Sequence, residues 1–287
     1  MRVAVVQLSS QDDVTANLAR ARHWIAEAAK AGAELVALPE NFAFMGEEDQ
    51  KRTIAERVPA PSESESASAR AHEEAPLGPI VAALAAAAKE SGVWVVGGGM
   101  PEASDDAARP FNTSVLVDPR GVVAATYRKI HLFDVDLADG TSLRESRATS
   151  AGGEPVVADV ATPSGRTRLG MTVCYDLRFP ELYRKLEAAG ARVVTVPSAF
   201  TLTTGKDHWH VLLRARAIEN QVYVLAPAQH GKHPRGRQTY GKALVCDPWG
   251  EVIAQCAEGE GFALARLDFA YQDRVRAALP CLSHRRL

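Results

Sequence analysis

The sequence predicts an α/β protein with mixed sheets, folded as a single domain. Runs of apolar, often β-branched residues alternate with segments of helical periodicity, which indicates strand–helix–strand units. Two further pairs of strands flank the turns 118–121 and 247–250, whose sequences Asp-Pro-Arg-Gly and Asp-Pro-Trp-Gly are typical of hairpins. No shift of composition divides the chain, so we expect one domain over residues 1–287.

The first half begins with an apolar run at 2–8 that predicts a buried strand. An amphipathic helix follows at 13–31, where Leu18 and Ile25 share one stripe and Gly32 ends the pattern. The other elements predicted in this half are a strand at 35–38, an alanine-rich helix at 79–90, a strand at 93–96 followed by three glycines, and a hairpin of strands 113–117 and 122–127.

The second half repeats this alternation. Its predicted elements are strands at 167–173, 192–196, 222–226 and 262–267, helices at 180–189 and 207–219, and a hairpin of strands 242–246 and 251–256. The segment 59–76 is rich in Ser, Glu and Ala, and we interpret it as a mobile loop within the domain. Residues from about 270 to 287 are interpreted as a C-terminal tail.

Charge and cysteine content exclude several classes of function. The formal net charge of −2 gives no long-range attraction for nucleic acid or an anionic membrane, so neither is an expected partner. No apolar run approaches the roughly 18 residues that a membrane helix needs. The four cysteines show no zinc-ligand spacing, and with no evident export signal they predict free thiols in a cytoplasmic protein: Cys174, Cys246, Cys256 and Cys281.

Cys174 lies where a predicted strand meets a predicted helix. A sharp turn at this junction would expose the sulfur near free backbone N–H groups, and such surroundings favour the nucleophilic thiolate. The alternative is a buried cysteine that acts only as a small apolar side chain, because free cysteine is among the most buried residue types. Position alone does not separate the two interpretations.

Three charged residues accompany Cys174 as candidates. Glu40 ends an apolar strand, where a carboxylate is costly to bury without a partner or a task. Lys129 follows a strand within an Arg-Lys pair, and Glu145 lies in an irregular stretch. Taken singly, each of the three could equally be a solvated surface charge.

The segments around these residues resemble the motifs of a known enzyme family. They are Leu38-Pro39-Glu40, the run Tyr-Arg-Lys-Ile-His-Leu-Phe-Asp at 127–134, and the run Val-Cys-Tyr-Asp-Leu-Arg-Phe-Pro-Glu at 173–181. In this order they are similar to the three motifs of the nitrilase superfamily, the carbon–nitrogen hydrolases. The resemblance extends over essentially the whole chain and includes the segments 197–200 and 209–219.

This resemblance implies a four-layer α-β-β-α sandwich, paired as a homodimer or higher oligomer through one helical layer. It also implies that Cys174 is the nucleophile, Glu40 the general base and Lys129 the group that stabilises the tetrahedral intermediate. Glu145 falls where many members of the family carry a second glutamate.

Hydrolysis of an amide requires residues of these types. An amide carbonyl is a poor electrophile, so attack needs a thiolate, and Glu40 can remove the thiol proton. The Lys129 ammonium and the backbone N–H of Tyr175 can bind the developing oxyanion. Glu40 can then protonate the departing nitrogen and activate a water that hydrolyses the thioester. The reaction requires neither a metal nor an organic cofactor.

Within the superfamily, the second half of the chain is most similar to the deaminated-glutathione amidase branch. That resemblance implies a small-molecule amide as substrate, with Ser198, Ala199, Phe200 and His208 near it. The segment 230–242 carries six basic and no acidic residues, so Lys232 and Arg237 are candidates to bind substrate carboxylates. A solvated basic loop is the alternative for this segment.

Other functions remain open at this stage. The same catalytic set could hydrolyse α-ketoglutaramate, as an ω-amidase does, or an N-carbamoyl amino acid. A scaffold that kept the fold but not the chemistry is disfavoured because Glu40, Lys129 and Cys174 are all present. A thiol redox protein built on Cys174 is disfavoured because no resolving cysteine lies nearby in the sequence.

Overall fold

The computed structural model describes residues 1–61, 76–136 and 142–286. The first half of the chain contains β1 (Arg2–Leu8), α1 (Val14–Lys30), β2 (Leu35–Ala37), α2 (Pro79–Ser91), β3 (Trp94–Glu102), β4 (Phe111–Val117), β5 (Val123–Arg128), β6 (Asp134–Asp136) and β7 (Ser142–Arg144). The loop predicted at 59–76 lies, except for its two ends, outside the described residues.

The second half contains β8 (Val156–Thr162), β9 (Gly165–Met171), α3 (Pro180–Ala188), β10 (Val193–Thr195), α4 (Leu202–Asn220), β11 (Tyr223–Ala226), β12 (Ala228–Lys232), β13 (Gln238–Tyr240), β14 (Leu244–Cys246), β15 (Val252–Gln255), β16 (Gly261–Arg266) and α5 (Phe269–Ala278). Short helical turns also occur at Glu48–Thr53, Glu145–Arg147, Cys174–Arg178 and Pro234–Gly236.

Two large mixed sheets form the centre of the protein. Within the described ranges, one sheet has the strand order β13-β12-β1-β2-β3-β4-β5, and β16 also pairs with β1. The other has the order β15-β14-β11-β10-β9-β8. The central strands β1, β2 and β3 run parallel in the first sheet, as do β9, β10 and β11 in the second.

The side chains of β1 show how the layers stack. Val3 and Val5 pack in the core that the first sheet shares with the second, together with Leu169 of β9. Ala4 and Val6 point the other way, into a core completed by α1 and α2. Because helices α3 and α4 cover the outer face of the second sheet, the layers follow the order α-β-β-α, and the predicted fold is confirmed.

The largest departures from the predicted elements lie close to the cleft described below. Strand β3 continues through the three glycines to Glu102. Glycine is needed at position 98 because the neighbouring backbone comes very close: an added Cβ would lie 2.1 Å from the Leu38 carbonyl oxygen. Helix α4 begins at Leu202, five residues before its predicted start, because the Thr201 side chain accepts a hydrogen bond from the Thr204 backbone N–H. The pattern also missed β6, β7, β8, β12, β13 and α5.

The segment predicted as a C-terminal tail begins with a packed helix. Gln272 of α5 is buried and donates to the backbone carbonyls of Arg192 and Gln221, which fixes the helix against the body of the domain. In the part of the chain that the structure describes, no helix combines the length and the apolar character needed to cross a membrane.

Candidate active site

Three strand ends place the predicted catalytic side chains. Glu40 follows β2, Lys129 follows β5 and Cys174 follows β9, and all three residues are at least nine-tenths buried. The β2 and β5 strands belong to the first sheet and β9 to the second, so the site forms where the two sheets meet. Lys129 lies 89 positions after Glu40 and 45 before Cys174, so the packing of two sheets brings together residues that are distant in sequence.

Lys129 holds two carboxylates. Its ammonium donates to Oε1 of Glu40 at 2.9 Å and to both carboxylate oxygens of Glu145, at 3.0 and 2.8 Å. Glu145 lies on a short helical turn, and its Oε2 also accepts the backbone N–H of Phe133 at 2.7 Å. The structure therefore brings Glu145 into the same cluster as Glu40 and Lys129.

Glu40 is restrained by further donors. The side-chain amide of Asn112 donates to Oε1 of Glu40 at 3.0 Å, and its Nδ2 also lies 3.4 Å from Oε1 of Glu145. The backbone N–H of Ala199 donates to Oε2 of Glu40 at 3.1 Å. With Lys129, these contacts leave the carboxylate little rotational freedom. Asn112 was missed by sequence reasoning, because within the run Phe-Asn-Thr-Ser it is simply a polar residue of a strand.

The turn that carries Cys174 is held from several sides. Cys174 has a positive φ of 49° and donates its N–H to the Pro197 carbonyl at 2.8 Å. The fully buried carboxylate of Asp176 accepts the Val173 N–H at 2.9 Å, the Tyr127 hydroxyl at 2.7 Å and the backbone N–H of His131 at 3.1 Å. This anchoring fixes the sulfur in the cleft that Glu40 also lines, where the charge of Glu40 acts on the thiol.

A second brace reaches this turn from α4. The guanidinium of Arg216 donates to the Leu177 carbonyl through Nε at 3.0 Å and Nη2 at 2.8 Å. Arg216 of α4 therefore braces the turn that carries Cys174. Arg214 instead donates to the Gly250 carbonyl at 2.7 Å, at the tip of the second hairpin.

The protonation states follow from burial and charge. Burial opposes ionisation of Glu40, but the Lys129 ammonium outweighs it and lowers the pKa of Glu40. Burial also disfavours the ammonium of Lys129, yet Glu145 and Glu40 raise its pKa well above the usual range. Burial, followed by the negative charge of Glu40, raises the pKa of the Cys174 thiol. The expectation that this site favours the thiolate at rest is therefore wrong, and the resting pair is a thiol beside a carboxylate.

The backbone N–H of Tyr175 is available for an oxyanion. Tyr175 lines the cleft beside Cys174, and no acceptor for its N–H occurs among the described residues. The flanking N–H groups are used, since Cys174 donates to Pro197 and Asp176 donates to the Val173 carbonyl. The Tyr175 N–H is therefore a free backbone donor in the turn that carries Cys174.

A cleft of about 550 Å³, open to solvent, lies over these residues. Its described lining includes the four charged or nucleophilic candidates and a ring of other polar and aromatic side chains: Asn41, Glu48, Lys51, Phe133, Leu143, Arg144, Tyr175, Arg178, Ala199, Phe200, Thr201, Thr204 and Arg237.

The residues predicted to bind substrate divide into two groups. Ala199, Phe200 and Arg237 line the cleft. Ser198 does not reach the described lining, because it is fully buried and its hydroxyl donates to the Val196 carbonyl. His208 is exposed on α4 and contacts the Arg178 guanidinium, and Lys232 is exposed at the end of β12; neither reaches the described lining.

The basic segment 230–242 is less free to bind anions than its sequence indicates. Arg237 pairs with Glu48 at 3.1 Å, Arg235 contacts Glu47, and Lys242 pairs with Glu258 at 2.7 Å. The carboxylates come from distant parts of the chain, so the sequence of the segment itself does not reveal them.

Arg178 contributes a positive charge to the cleft. Its guanidinium lies 5.5 Å from the ring centroid of Phe200 and 6.0 Å from that of Tyr175, and it faces the cleft. Among the described residues it forms no ion pair with a carboxylate; its polar partner is His208, 3.3 Å away. The reason is the turn at Cys174–Arg178, which directs this side chain toward the aromatic wall of the cleft.

The geometry agrees with a family comparison. The family model described as carbon-nitrogen hydrolase matches residues 2–277 of the chain. The chain belongs to the carbon–nitrogen hydrolase family. It is an enzyme that hydrolyses carbon–nitrogen bonds of amides, as the motifs around Glu40, Lys129 and Cys174 predicted.

Relatives and solved structures support the assignment as a carbon–nitrogen hydrolase over the full length. The chain is 42% identical over 283 residues to the deaminated glutathione amidase of Synechocystis sp., covering 98% of this chain and 97% of the relative. It is 41% identical over 288 residues to the Homo sapiens protein of the same name, covering 99% and 82%. It superposes on the C. elegans NitFhit crystal structure with a TM-score of 0.84 at 39% identity, covering 99% of this chain and 65% of that longer one.

Proposed function

We propose that this enzyme is a deaminated glutathione amidase, which cleaves its substrate into 2-oxoglutarate and cysteinylglycine. The observation that carries the proposal is the buried cluster in which Lys129 contacts Glu40 at 2.9 Å while Glu40, Lys129 and Cys174 line one cleft. The relatives that carry this name match nearly the whole chain, and this supports the choice of substrate.

In the first half of the proposed reaction, Cys174 is acylated. The Cys174 sulfur attacks the amide carbonyl carbon while Glu40 takes the thiol proton. The Lys129 ammonium has three N–H donors, and it contacts one oxygen of Glu40 and both oxygens of Glu145. In this step we propose that the two oxygens of Glu145 share one donor, so that another turns to the oxyanion. The free N–H of Tyr175 is the second oxyanion donor. The C–N bond then breaks, Glu40 returns its proton to the nitrogen, and a thioester remains.

In the second half, water replaces the amine. Glu40, again ionised, takes a proton from a water molecule as the water oxygen attacks the thioester carbonyl carbon. The same two donors bind the second oxyanion, the C–S bond breaks, and the proton on Glu40 returns to the sulfur. The enzyme ends in its resting thiol and carboxylate state, the state that the lowered pKa of Glu40 and the raised pKa of Cys174 favour.

The charge of Arg178 supports a substrate with a carboxylate. Because this guanidinium lies in the cleft without a carboxylate partner among the described residues, an anionic group would compensate its charge. We assign it to the carboxylate on the acyl side, which stays in the site as long as the thioester exists. The acyl part is common to deaminated glutathione and α-ketoglutaramate, so Arg178 serves either substrate.

The test is a turnover assay of purified protein with deaminated glutathione and α-ketoglutaramate side by side, with Cys174→Ala as the control. The proposal expects preference for deaminated glutathione, with cysteinylglycine released, and loss of turnover in the variant. Preference for α-ketoglutaramate, with ammonia released, would make the protein an ω-amidase with the same mechanism. Preference for an N-carbamoyl amino acid, with release of carbon dioxide and ammonia, would also reject the proposed substrate.

We further propose that the enzyme acts as a homodimer in the cytoplasm. Three large apolar side chains are exposed on the helical layer outside the second sheet and at the hairpin tip beside it: Val211 at 66%, Ile218 at 46% and Trp249 at 53%. A second copy of the chain would bury them. The free thiols of all four cysteines are consistent with a reducing compartment.

A further inference from the structure

A partly buried charged cluster outside the catalytic set lies at the rim of the cleft. Glu48 contacts the Lys51 ammonium at 2.7 Å and the Arg237 guanidinium at 3.1 Å, and Lys51 is 6% exposed. We name these three residues the rim cluster. It carries two positive charges and one negative charge, so one positive charge is left over.

The net charge of +1 on the rim cluster requires that Glu48 is ionised. Burial opposes its ionisation, but Lys51 and Arg237 overcome this effect and lower the pKa of Glu48 to about 2. Lys51 lies closer to Glu48 than Arg237 does and therefore neutralises most of the negative charge of the Glu48 carboxylate. In Arg237, the Nε atom is buried and has no hydrogen-bond partner among the described residues. An anion at Arg237 would supply a partner for this donor and for the remaining charge.

The position of the rim cluster indicates which part of a substrate it faces. Glu48 and Arg237 line both the catalytic cleft and a wider groove that continues from it toward solvent, bordered by Glu47, Ser142 and Leu202. The acyl part of the substrate is held covalently at Cys174 after the first step, whereas the amine must leave. The leaving group therefore occupies the side of the cleft that opens into the outer groove.

We infer that Arg237 binds the carboxylate at the leaving-group end of the substrate. Glu48 holds Arg237 in place, and Lys51 neutralises the charge of Glu48. This inference rests on the proposed function and goes beyond it, because it assigns the two ends of the substrate to different residues. Arg178 serves the acyl side, and the rim cluster serves the end carboxylate of the dipeptide. A substrate with a carboxylate on each side of the scissile amide binds both Arg178 and the rim cluster, whereas α-ketoglutaramate binds only Arg178.

The experiment compares two substrates that differ only at the leaving-group end. One is deaminated glutathione, and the other is the same molecule with its glycine carboxylate converted to a carboxamide. We expect wild-type kcat/KM to be about 10- to 100-fold higher for the acid, the size of one charge-assisted hydrogen-bonded contact. In Arg237→Met this ratio should fall to about 1. Because both values come from one preparation, the fraction of folded enzyme cancels in the ratio.

Two further variants distinguish a specific contact at Arg237 from a general effect of positive charge and from a structural effect. Arg52→Met removes an exposed positive charge next to Lys51 and should keep the wild-type ratio, because Arg52 does not line the cleft. Glu48→Gln keeps hydrogen-bonding groups beside Lys51 and Arg237 but adds one net positive charge to the rim cluster. Its ratio should stay at or above the wild-type value.

The outcomes distinguish the inference from the function on which it rests. A ratio that is the same in Arg237→Met as in wild type overturns the inference while amide hydrolysis stands. A collapse of the ratio in Arg52→Met also overturns it, because the preference for the acid would then come from the overall positive charge and not from a specific contact. A fall of the ratio in Glu48→Gln to the level of Arg237→Met overturns it as well, because a structural effect would then explain the loss. If the wild-type enzyme hydrolyses neither substrate nor α-ketoglutaramate, the proposed function fails and the inference fails with it.

Discussion

The side-chain amide of Asn112 donates to Oε1 of Glu40 at 3.0 Å, the same oxygen that accepts the Lys129 ammonium at 2.9 Å. Oε2 of Glu40 accepts one backbone N–H, from Ala199 at 3.1 Å. Oε1 is thus occupied by two donors, and Oε2 is the less occupied oxygen. We therefore expect Oε2 to take the proton from Cys174 and Asn112 to keep the carboxylate oriented for that transfer.

Replacement of Asn112 by alanine tests this orientation. Loss of the donor to an ionised carboxylate should lower kcat/KM by about 10- to 100-fold. Hydrogen bonds to a carboxylate lower its pKa, so the pKa of Glu40 should rise in Asn112→Ala. Because the free enzyme needs Glu40 ionised, the acid limb of the pH profile of kcat/KM should move to higher pH.

A merely structural role of Asn112 predicts something else. Gln272→Ala removes another buried amide, one that holds α5 at a distance from the cleft, and should lower stability without moving the acid limb. Asn112→Asp places a third carboxylate beside Glu40 and Glu145 and should move the limb further than Asn112→Ala does. An acid limb that stays in place in both Asn112 variants would reject the positioning role.

The pH dependence of Cys174 alkylation provides a second prediction. Burial and then Glu40 raise the pKa of the Cys174 thiol, so labelling by iodoacetamide should reach its midpoint above the usual thiol pKa of about 8.5. In Glu40→Gln the negative charge is absent and Lys129 remains, so the midpoint should move to lower pH even though hydrolysis is lost. Peptide mass spectrometry measures the labelling, with the partly exposed Cys281 as reference in the same molecule. A midpoint that stays or rises in Glu40→Gln would contradict the electrostatic account.

Lys129 should matter for stability as well as for catalysis. Lys129→Met leaves Glu40 and Glu145 buried near each other with no cation between them. Loss of one partner of a buried ion pair costs about 3–5 kcal/mol in free energy of unfolding. Lys89→Met, at an exposed lysine of α2, should change it by less than about 0.5 kcal/mol. Urea unfolding measures both.

The sign of the pH effect distinguishes this explanation from a packing defect. In wild type the pKa of Glu40 is lowered, so its contribution is present above the unfolded value of about 4.3 and is lost as pH falls through the folded value. In Lys129→Met the pKa of Glu40 should instead be raised, so the penalty should shrink as pH falls from about 8 to about 5.5. An equal loss of stability at both pH values would indicate lost packing instead.

The sequence singled out the candidate catalytic residues by the motifs around them, and each of these residues also follows an apolar strand. Glu40, Lys129 and Cys174 stand at the ends of such strands, and their neighbours resemble family motifs. Asn112 gave no such signal, since its role depends on the pairing of β4 with β3, where Asn112 lies opposite Pro101. Register between strands is set by packing across the sheet, and alternation in one strand does not reveal it.

The charge balance of the cleft was harder to predict than its chemistry. The segment 230–242 carries only basic charges in sequence, yet Arg237 pairs with Glu48, which lies 189 positions away. Arg178 lies three positions before Glu181 in the sequence, yet its guanidinium faces the aromatic rings of Tyr175 and Phe200. Long-range pairing of this kind depends on tertiary contacts, which periodicity and composition do not encode.

The exposed apolar patch on α4 leads to a last prediction, on assembly. Val211 and Ile218 are seven residues apart on α4 and so share one face of the helix, and Ile218 packs beside Gly250, next to Trp249. If a second copy covers this patch, Val211→Glu combined with Ile218→Glu should convert a dimer into a monomer, because the charges would have to be buried in an apolar contact. Sedimentation equilibrium measures the mass of each protein. Leu264→Glu, at an exposed leucine of β16 in the other sheet, should leave the mass of the dimer unchanged. A wild-type protein that sediments as a monomer, or a double variant that remains dimeric, would exclude this face as the interface.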